Sequence, residues 1–450
     1  MEYPQRVQAL RQQLTQVPPG APVRLRKKTS NLFRPRAKVR GTLDAELFNG
    51  VFALDVAART VDVGGMTTYE DLVAATLPHG LMPLVVPQLK TITLGGAVTG
   101  LGIESSSFRV GCPHESVVEM DILTGNAELV TATPHNEHAD LFYGFPNSYG
   151  TLGYALRLKI ELAPVKQFVH LRHVRFDNVL SMVSVMNAIC LDGSYDDEPV
   201  DFIDGTWFSA AECYLSLGTF SDTAPHVSDY TGQRIYYRSI QTKREDWLTI
   251  HDYIWRWDTD WFWCSRAFGA QNPRLRRLWP RRYRRSDFYW KLIALNRRFR
   301  IAERIEARQG LPRSEEIVQD IEVPIENVND FLVFLDKQTG IEPVWLCPLK
   351  QRDPGAVWDL YKFDASRLYV NIGFWSSAFL PEGEQDGYHN RAIEEKVAEL
   401  GGRKSLYSTS FYPEDKFWEI YDGSTYGGLK QKYDPASRLL NLYQKTVARL

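Results

Sequence analysis

Four closely set glycines, Gly95, Gly96, Gly100 and Gly102 in TLGGAVTGLGIESSSFRVG, are the residues of this chain best suited to holding an anion. Lacking a Cβ, such a stretch lets the backbone approach a ligand closely and turn several N–H groups toward negative charge. A pyrophosphate is the expected guest. The spacing is not GxGxxG and opens no long helix, and no Gly-Lys-Ser/Thr follows, so neither a Rossmann fingerprint nor a P-loop is present. One glycine turn is often only a turn. Here a second, Gly150-Thr151-Leu152-Gly153, and a basic polar loop, Arg26-Lys27-Lys28-Thr29-Ser30-Asn31, together favour a nucleotide site. His135 and His138 lie in a polar loop and are not read as metal ligands, and no metal is expected. The five cysteines stand singly, an odd count without CxxC spacing, which argues against a disulfide framework and for a reducing compartment.

The elements that must position these residues follow from the pattern around them. Residues 4–16 predict a helix ended by Pro18-Pro19-Gly20, and PVRLRKKTSNLF predicts a short strand that runs into the basic loop. Two strands are expected within 51–63, a Thr-capped helix over 67–80, and further strands at 117–123 and 128–131. An alternating strand over 154–162 leaves the second glycine turn directly, and the first domain is placed at residues 1–165. Residues 166–405 mix strands with helices as a second domain, and 406–450 end the chain with a glycine turn and a YDP motif. A chain of 450 residues calls for two cores, and 44% hydrophobic with 24% charged residues excludes wholesale disorder. The net charge of −2 gives no footprint for nucleic acid. No apolar run approaches the roughly eighteen residues of a spanning helix, and MEYPQRVQALRQQL has no apolar signal core, so a cytoplasmic protein is expected.

Taken with LMPLVVPQL before it and GTLG after it, the glycine-rich block resembles the flavin domain of the vanillyl-alcohol-oxidase (PCMH-type) superfamily. GIESSS at 102–107, EIVQDIEVP at 316–324, PVWLCP at 343–348 and FWEIYDGSTY at 417–426 narrow the resemblance to the Δ24-sterol reductase (seladin-type) branch. The resemblance implies an α+β protein: a PCMH-type two-subdomain FAD-binding domain, an α+β substrate cap, and a C-terminal segment returning to the flavin domain. It implies FAD, bound through Lys28, Thr29, Ser30 and Asn31, through Gly95, Gly96, Ala97, Gly100, Gly102 and Ile103, through Ser105 and Ser106, and through Gly150, Thr151 and Gly153. Many relatives carry, in the first loop, a His that bonds covalently to the flavin. Thr29 stands there in this chain, so the FAD is expected to be non-covalent.

The same branch reduces alkenes with NADPH. An isolated double bond offers no carbonyl to take up negative charge, so a proton must be given to one carbon as reducing equivalents reach the other. The donor must stay protonated near neutrality, which burial of a carboxyl can achieve. Glu104 is the first candidate acid, with Tyr421 and Asp422 as further active-site candidates; for Glu104, a capping carboxylate is the competing reading. Stretches such as RTVDVGGMTTYEDLV resemble actinobacterial FAD-dependent reductases of methylene-branched fatty-acyl chains, the 10-methylstearate-forming type. A 10-methylene acyl chain of a membrane phospholipid is therefore the leading substrate, and a sterol or isoprenoid side chain the alternative. A flavin oxidase of an alcohol, or a flavin-binding partner of a lipid methyltransferase, are the remaining classes. The segment 244–300 interleaves tryptophans with arginines and reads as a peripheral contact with the inner face of the cell membrane, against the competing reading of a basic face over an aromatic core.

Overall fold

The computed structural model describes residues 2–448 apart from 19, 20, 22, 28 and 35–40. The helix Tyr3–Gln16 begins with a proline in its first turn and buries Val7, Leu10 and Leu14 along one face. It packs with a parallel strand pair, Val23–Arg26 and Gly41–Asp44, as a small first subdomain. The second subdomain is an antiparallel sheet in the spatial order 51–55, 60–64, 153–164, 117–124, 129–132. Leu81–Pro83 pairs with the far end of its long central strand. Thr68 accepts a hydrogen bond from the Asp71 N–H to start the helix Tyr69–Thr76, and Gly80, at φ 69°, closes the turn after it.

Three residues separate Pro164, where that sheet's central strand ends, from Phe168, where the first strand of the second domain begins. Its eight strands lie in the order 245–249, 168–176, 212–221, 202–209, 344–349, 369–379, 314–324, 403–404, each antiparallel to its neighbours. Alternation along the strands gives this sheet two different faces. Ile317, Ile321, Leu346, Ile372 and Phe374 pack under the helices Val179–Asp192, Val328–Thr339 and Tyr388–Glu399. Asp320, Trp345, Asn371 and Trp375 point the other way, across to the first domain.

After Ser405 the chain crosses back. The sequence suggested a glycine turn at 423–428, but the structure has a helix there, Gly423–Tyr433, after a shorter one at Glu414–Ile420. The reason is local: Asp422, at φ 49°, accepts from the Thr425 N–H and caps a new helix, leaving Gly427 and Gly428 inside it. That helix binds the first domain through Lys430 to the Thr151 carbonyl and through Lys432 and Tyr433 to Asp140.

The tryptophan-rich segment also departs from expectation. Trp255, Trp257, Trp261 and Trp263 are buried in the main core and do not lie on the protein surface. Their turns are held from inside: Asp258 accepts from the Lys90 N–H and Ser286, and Asp260 accepts both guanidinium nitrogens of Arg276. Arg284 is buried on backbone carbonyls and Arg285 binds Glu70 with two nitrogens. All five cysteines are free. Among the described residues no helix is long and apolar enough to cross a membrane.

Candidate active site

Between the two domains runs a cleft of about 1970 Å³, its open mouth included. Its two ends differ in chemistry because different elements build them. One wall is Lys27, Thr29 and residues 31–34, the short helix Leu94–Gly100 with the chain to Ile103, and the Gly150–Gly153 turn. Thr93 caps the short helix at Gly96 N–H, and Thr29 Oγ1 donates to the Thr91 carbonyl, which ties loop to helix. Tight backbone contact sets the position of that helix: a Cβ on Gly65 would lie 2.0 Å from the Ala155 carbonyl oxygen, and one on Gly95 2.7 Å from that of Gly65. Lys27, Arg34 and Lys445 line this end, and the N–H groups of Leu101, Gly102 and Ile103 have no acceptor among the described residues. Cations and unpaired donors on a glycine backbone suit a diphosphate. These residues fit FAD.

The other end is aromatic. Phe33, Trp261, Phe262, Trp345 and Trp375 form the walls, with Phe262 edge-on to Trp375 at 4.3 Å between ring centres. A single carboxyl stands among them. Asp320 Oδ2 accepts from Tyr407 Oη at 2.7 Å and Oδ1 accepts from Asn371 at 2.9 Å, while Trp375 Nε1 donates to Tyr407 Oη at 2.7 Å. Register explains the space for it. Asp320 and Trp345 flank Gly373 on neighbouring strands, where a Cβ would meet Asp320 Oδ1 at 2.5 Å. Burial pushes the Asp320 carboxyl up to about 6, against the lowering effect of its two hydrogen-bond donors. Burial and the neighbouring Asp320 raise the Tyr407 phenol. Two residues along the strand, burial pushes Glu322 up to about 8; it accepts from Tyr361 and from Ser405, itself a cleft residue.

Of the expected cofactor residues, the structure brings to the cleft Thr29, Asn31, Gly95, Gly96, Ala97, Gly100, Gly102, Ile103, Gly150 and Gly153. Lys28 lies outside the described residues. Ser30 is not among the lining residues. Ser105 and Ser106 turn away: Ser105 donates to Glu104, and Ser106 to the Leu84 carbonyl. Thr151 donates back to the Ser148 carbonyl.

The three candidate catalytic groups are elsewhere. Glu104 is buried in an ion pair, sharing one guanidinium nitrogen of Arg256 with Asp204 at 3.0 and 2.6 Å. Arg256 stacks 4.1 Å over Tyr253, so the cluster pins the first domain to the second, and Glu104 is not among the residues lining the cleft. Tyr421 is fully buried with its hydroxyl on the Lys404 carbonyl. Asp422 is the helix cap already described and pairs with Lys362. Reading residues singly missed Asp320, Tyr407, Asn371 and Trp375. A carboxylate spaced by two from another in the apolar strand EIVQDIEVP was the available signal.

Comparison with known proteins fits this geometry. Residues 4–133 match the family described as FAD binding domain. The chain is 26% identical over 413 residues to the human (Homo sapiens) Delta(24)-sterol reductase, covering 88% of this chain and 75% of that protein. It is 25% identical over 440 residues to the Delta(24)-sterol reductase of Arabidopsis thaliana, covering 90% and 76%. Cytokinin dehydrogenase 7 of Oryza sativa subsp. japonica is 29% identical over 149 residues, a third of this chain. A glycine and cation cradle facing an aromatic chamber, on a chain with these likenesses, makes the protein an FAD-dependent oxidoreductase of α+β fold.

Proposed function

We propose that the protein reduces an isolated carbon–carbon double bond in a lipid, using NADPH to recharge its FAD. The observation that carries this reading is the Asp320 carboxyl, raised by burial, in an aromatic chamber next to the glycine and cation cradle. Bound reduced FAD supplies two electrons and one hydrogen; the protein must supply the second hydrogen as a proton. When Asp320 is protonated its hydrogen bond with Tyr407 reverses, the carboxyl donating to Tyr407 Oη and freeing the phenolic hydrogen for the substrate. Asp320 then protonates Tyr407 as the Tyr407 hydroxyl gives its own proton to the less substituted alkene carbon, so Tyr407 ends neutral and Asp320 ionised. The Trp375 N–H steadies the Tyr407 oxygen during the transfer. The aromatic walls exclude water, which would otherwise trap the cation character left on the branched carbon. Asp320 then takes a proton from solvent.

Two substrate classes share this chemistry, because both protonate toward a tertiary centre. A methylene branch on a phospholipid acyl chain is the first. The similarity to Delta(24)-sterol reductases over most of the chain favours a sterol or isoprenoid side chain as the second. Offering each to the FAD-loaded protein with NADPH, and reading the product by mass spectrometry, decides between them. A gain of two hydrogens in one class assigns the substrate; a gain in neither, with peroxide released from an alcohol instead, overturns the reductase reading.

A further inference from the structure

The basic-aromatic region keeps one apolar surface that the core does not use. In the helix Ser286–Phe299, Tyr289, Trp290 and Ile293 face the body of the protein, and Trp290 packs 4.4 Å from Phe33, a cleft residue. Phe288 and Leu292 are also packed against the core, whereas Leu295 and Phe299, one turn apart at i and i+4, continue the apolar row beyond it. Leu295 and Phe299 remain 48% and 45% exposed. The next helix, Ile301–Gln309, buries none of its residues, yet sets Ile301 and Ile305 one turn apart, 41% and 49% exposed. Leu278, in the arm just before, is 81% exposed. Leu278, Leu295, Phe299, Ile301 and Ile305 together are an apolar surface that stays exposed among the described residues.

Charge says what that partner is. Residues 273–311 hold thirteen lysines and arginines against three carboxylates, in a chain whose total is −2. Arg274, Arg277, Lys291, Arg304 and Arg308 have no carboxylate partner among the described residues. A second copy of the chain on this face would set like charge against like. An apolar stripe flanked by arginines suits the boundary between acyl chains and anionic headgroups. We propose that residues 273–311 seat the protein on an anionic phospholipid surface, with the helix Ser286–Phe299 lying in the interface beside the aromatic end of the cleft. This deepens the reading of a lipid substrate and rests on it for its purpose; the binding is measurable apart from any turnover.

The test is sedimentation with vesicles. Vesicles of phosphatidylglycerol with phosphatidylcholine should carry the protein down, phosphatidylcholine alone should not, and added salt should release it. Leu295→Glu with Phe299→Glu should weaken partition by about tenfold or more, and Arg304→Glu with Arg308→Glu should do so at low salt, both with unchanged thermal unfolding. Equal binding by both variants overturns the proposal. So does a wild-type protein that ignores anionic vesicles and runs as a dimer split by the Leu295/Phe299 variant. Vesicle binding without alkene reduction would sink only the proposed activity. Reduction of detergent-dispersed substrate without vesicle binding would sink only this surface.

Discussion

A carboxyl that serves as an acid has to hold its proton above the usual carboxylate range, and burial among rings raises Asp320 to about 6. Asp320→Asn should retain FAD and lower the reductive rate by about 10²–10⁴-fold, as expected for loss of a general acid. The pH profile follows from the same shift. The reactive form is the protonated one, so the rate should hold below about 6 and fall as pH rises through it. Stability runs the opposite way for the variant. The folded state holds this proton more tightly than the unfolded chain, so ionisation costs the fold as pH rises from about 4 to 6. Asn in its place should therefore raise stability at pH 8 by about 1–2 kcal/mol, read by denaturant melts. Arg256→Met acts in the other direction: it strands Glu104 and Asp204 without their shared cation and should cost about 3–5 kcal/mol. The ion pair of Glu104 is not legible in the sequence because its partners lie far along the chain, Arg256 being 152 residues away. The Asp320 and Tyr407 pair was illegible for the same reason, with 87 residues between donor and acceptor.

At the scale of elements, two glycines do their work through neighbours rather than through flexibility. Gly373→Ala should push the Asp320 carboxyl aside, lowering the rate while leaving the flavin in place. Gly65→Ala should wedge the central strand off the cradle, destabilising by about 1–3 kcal/mol and releasing FAD, which dialysis and absorbance would record. The cradle itself was readable in the sequence, because close backbone approach requires glycine at positions fixed by local spacing. Ten of the fifteen expected cofactor residues do line the cleft. The tryptophan run was less so: composition alone does not separate a ring packed on Asp258 and Asp260 turns from one resting on lipid. The C-terminal glycines misled because one capping aspartate decides between turn and helix.

For the whole molecule, the cleft exists only where the two sheets meet and the C-terminal helix closes the seam. One end comes from a domain shared with other FAD-binding proteins, the other from a sheet that gives the aromatic chamber its acid. Thr29 in the loop offers no imidazole nitrogen to bond a flavin, which leads to a simple expectation: unfolding in denaturant should pass all the yellow colour through a filter that retains the protein. The central claim concerns the pairing of that flavin with an alkene. The most direct test is anaerobic: add NADPH to the purified yellow protein, then a lipid bearing an isolated branched double bond. Bleaching by NADPH, followed by recovery of the colour in step with saturated product, is the predicted result. Failure to bleach, or a bleached flavin that oxygen restores and no alkene does, would contradict it.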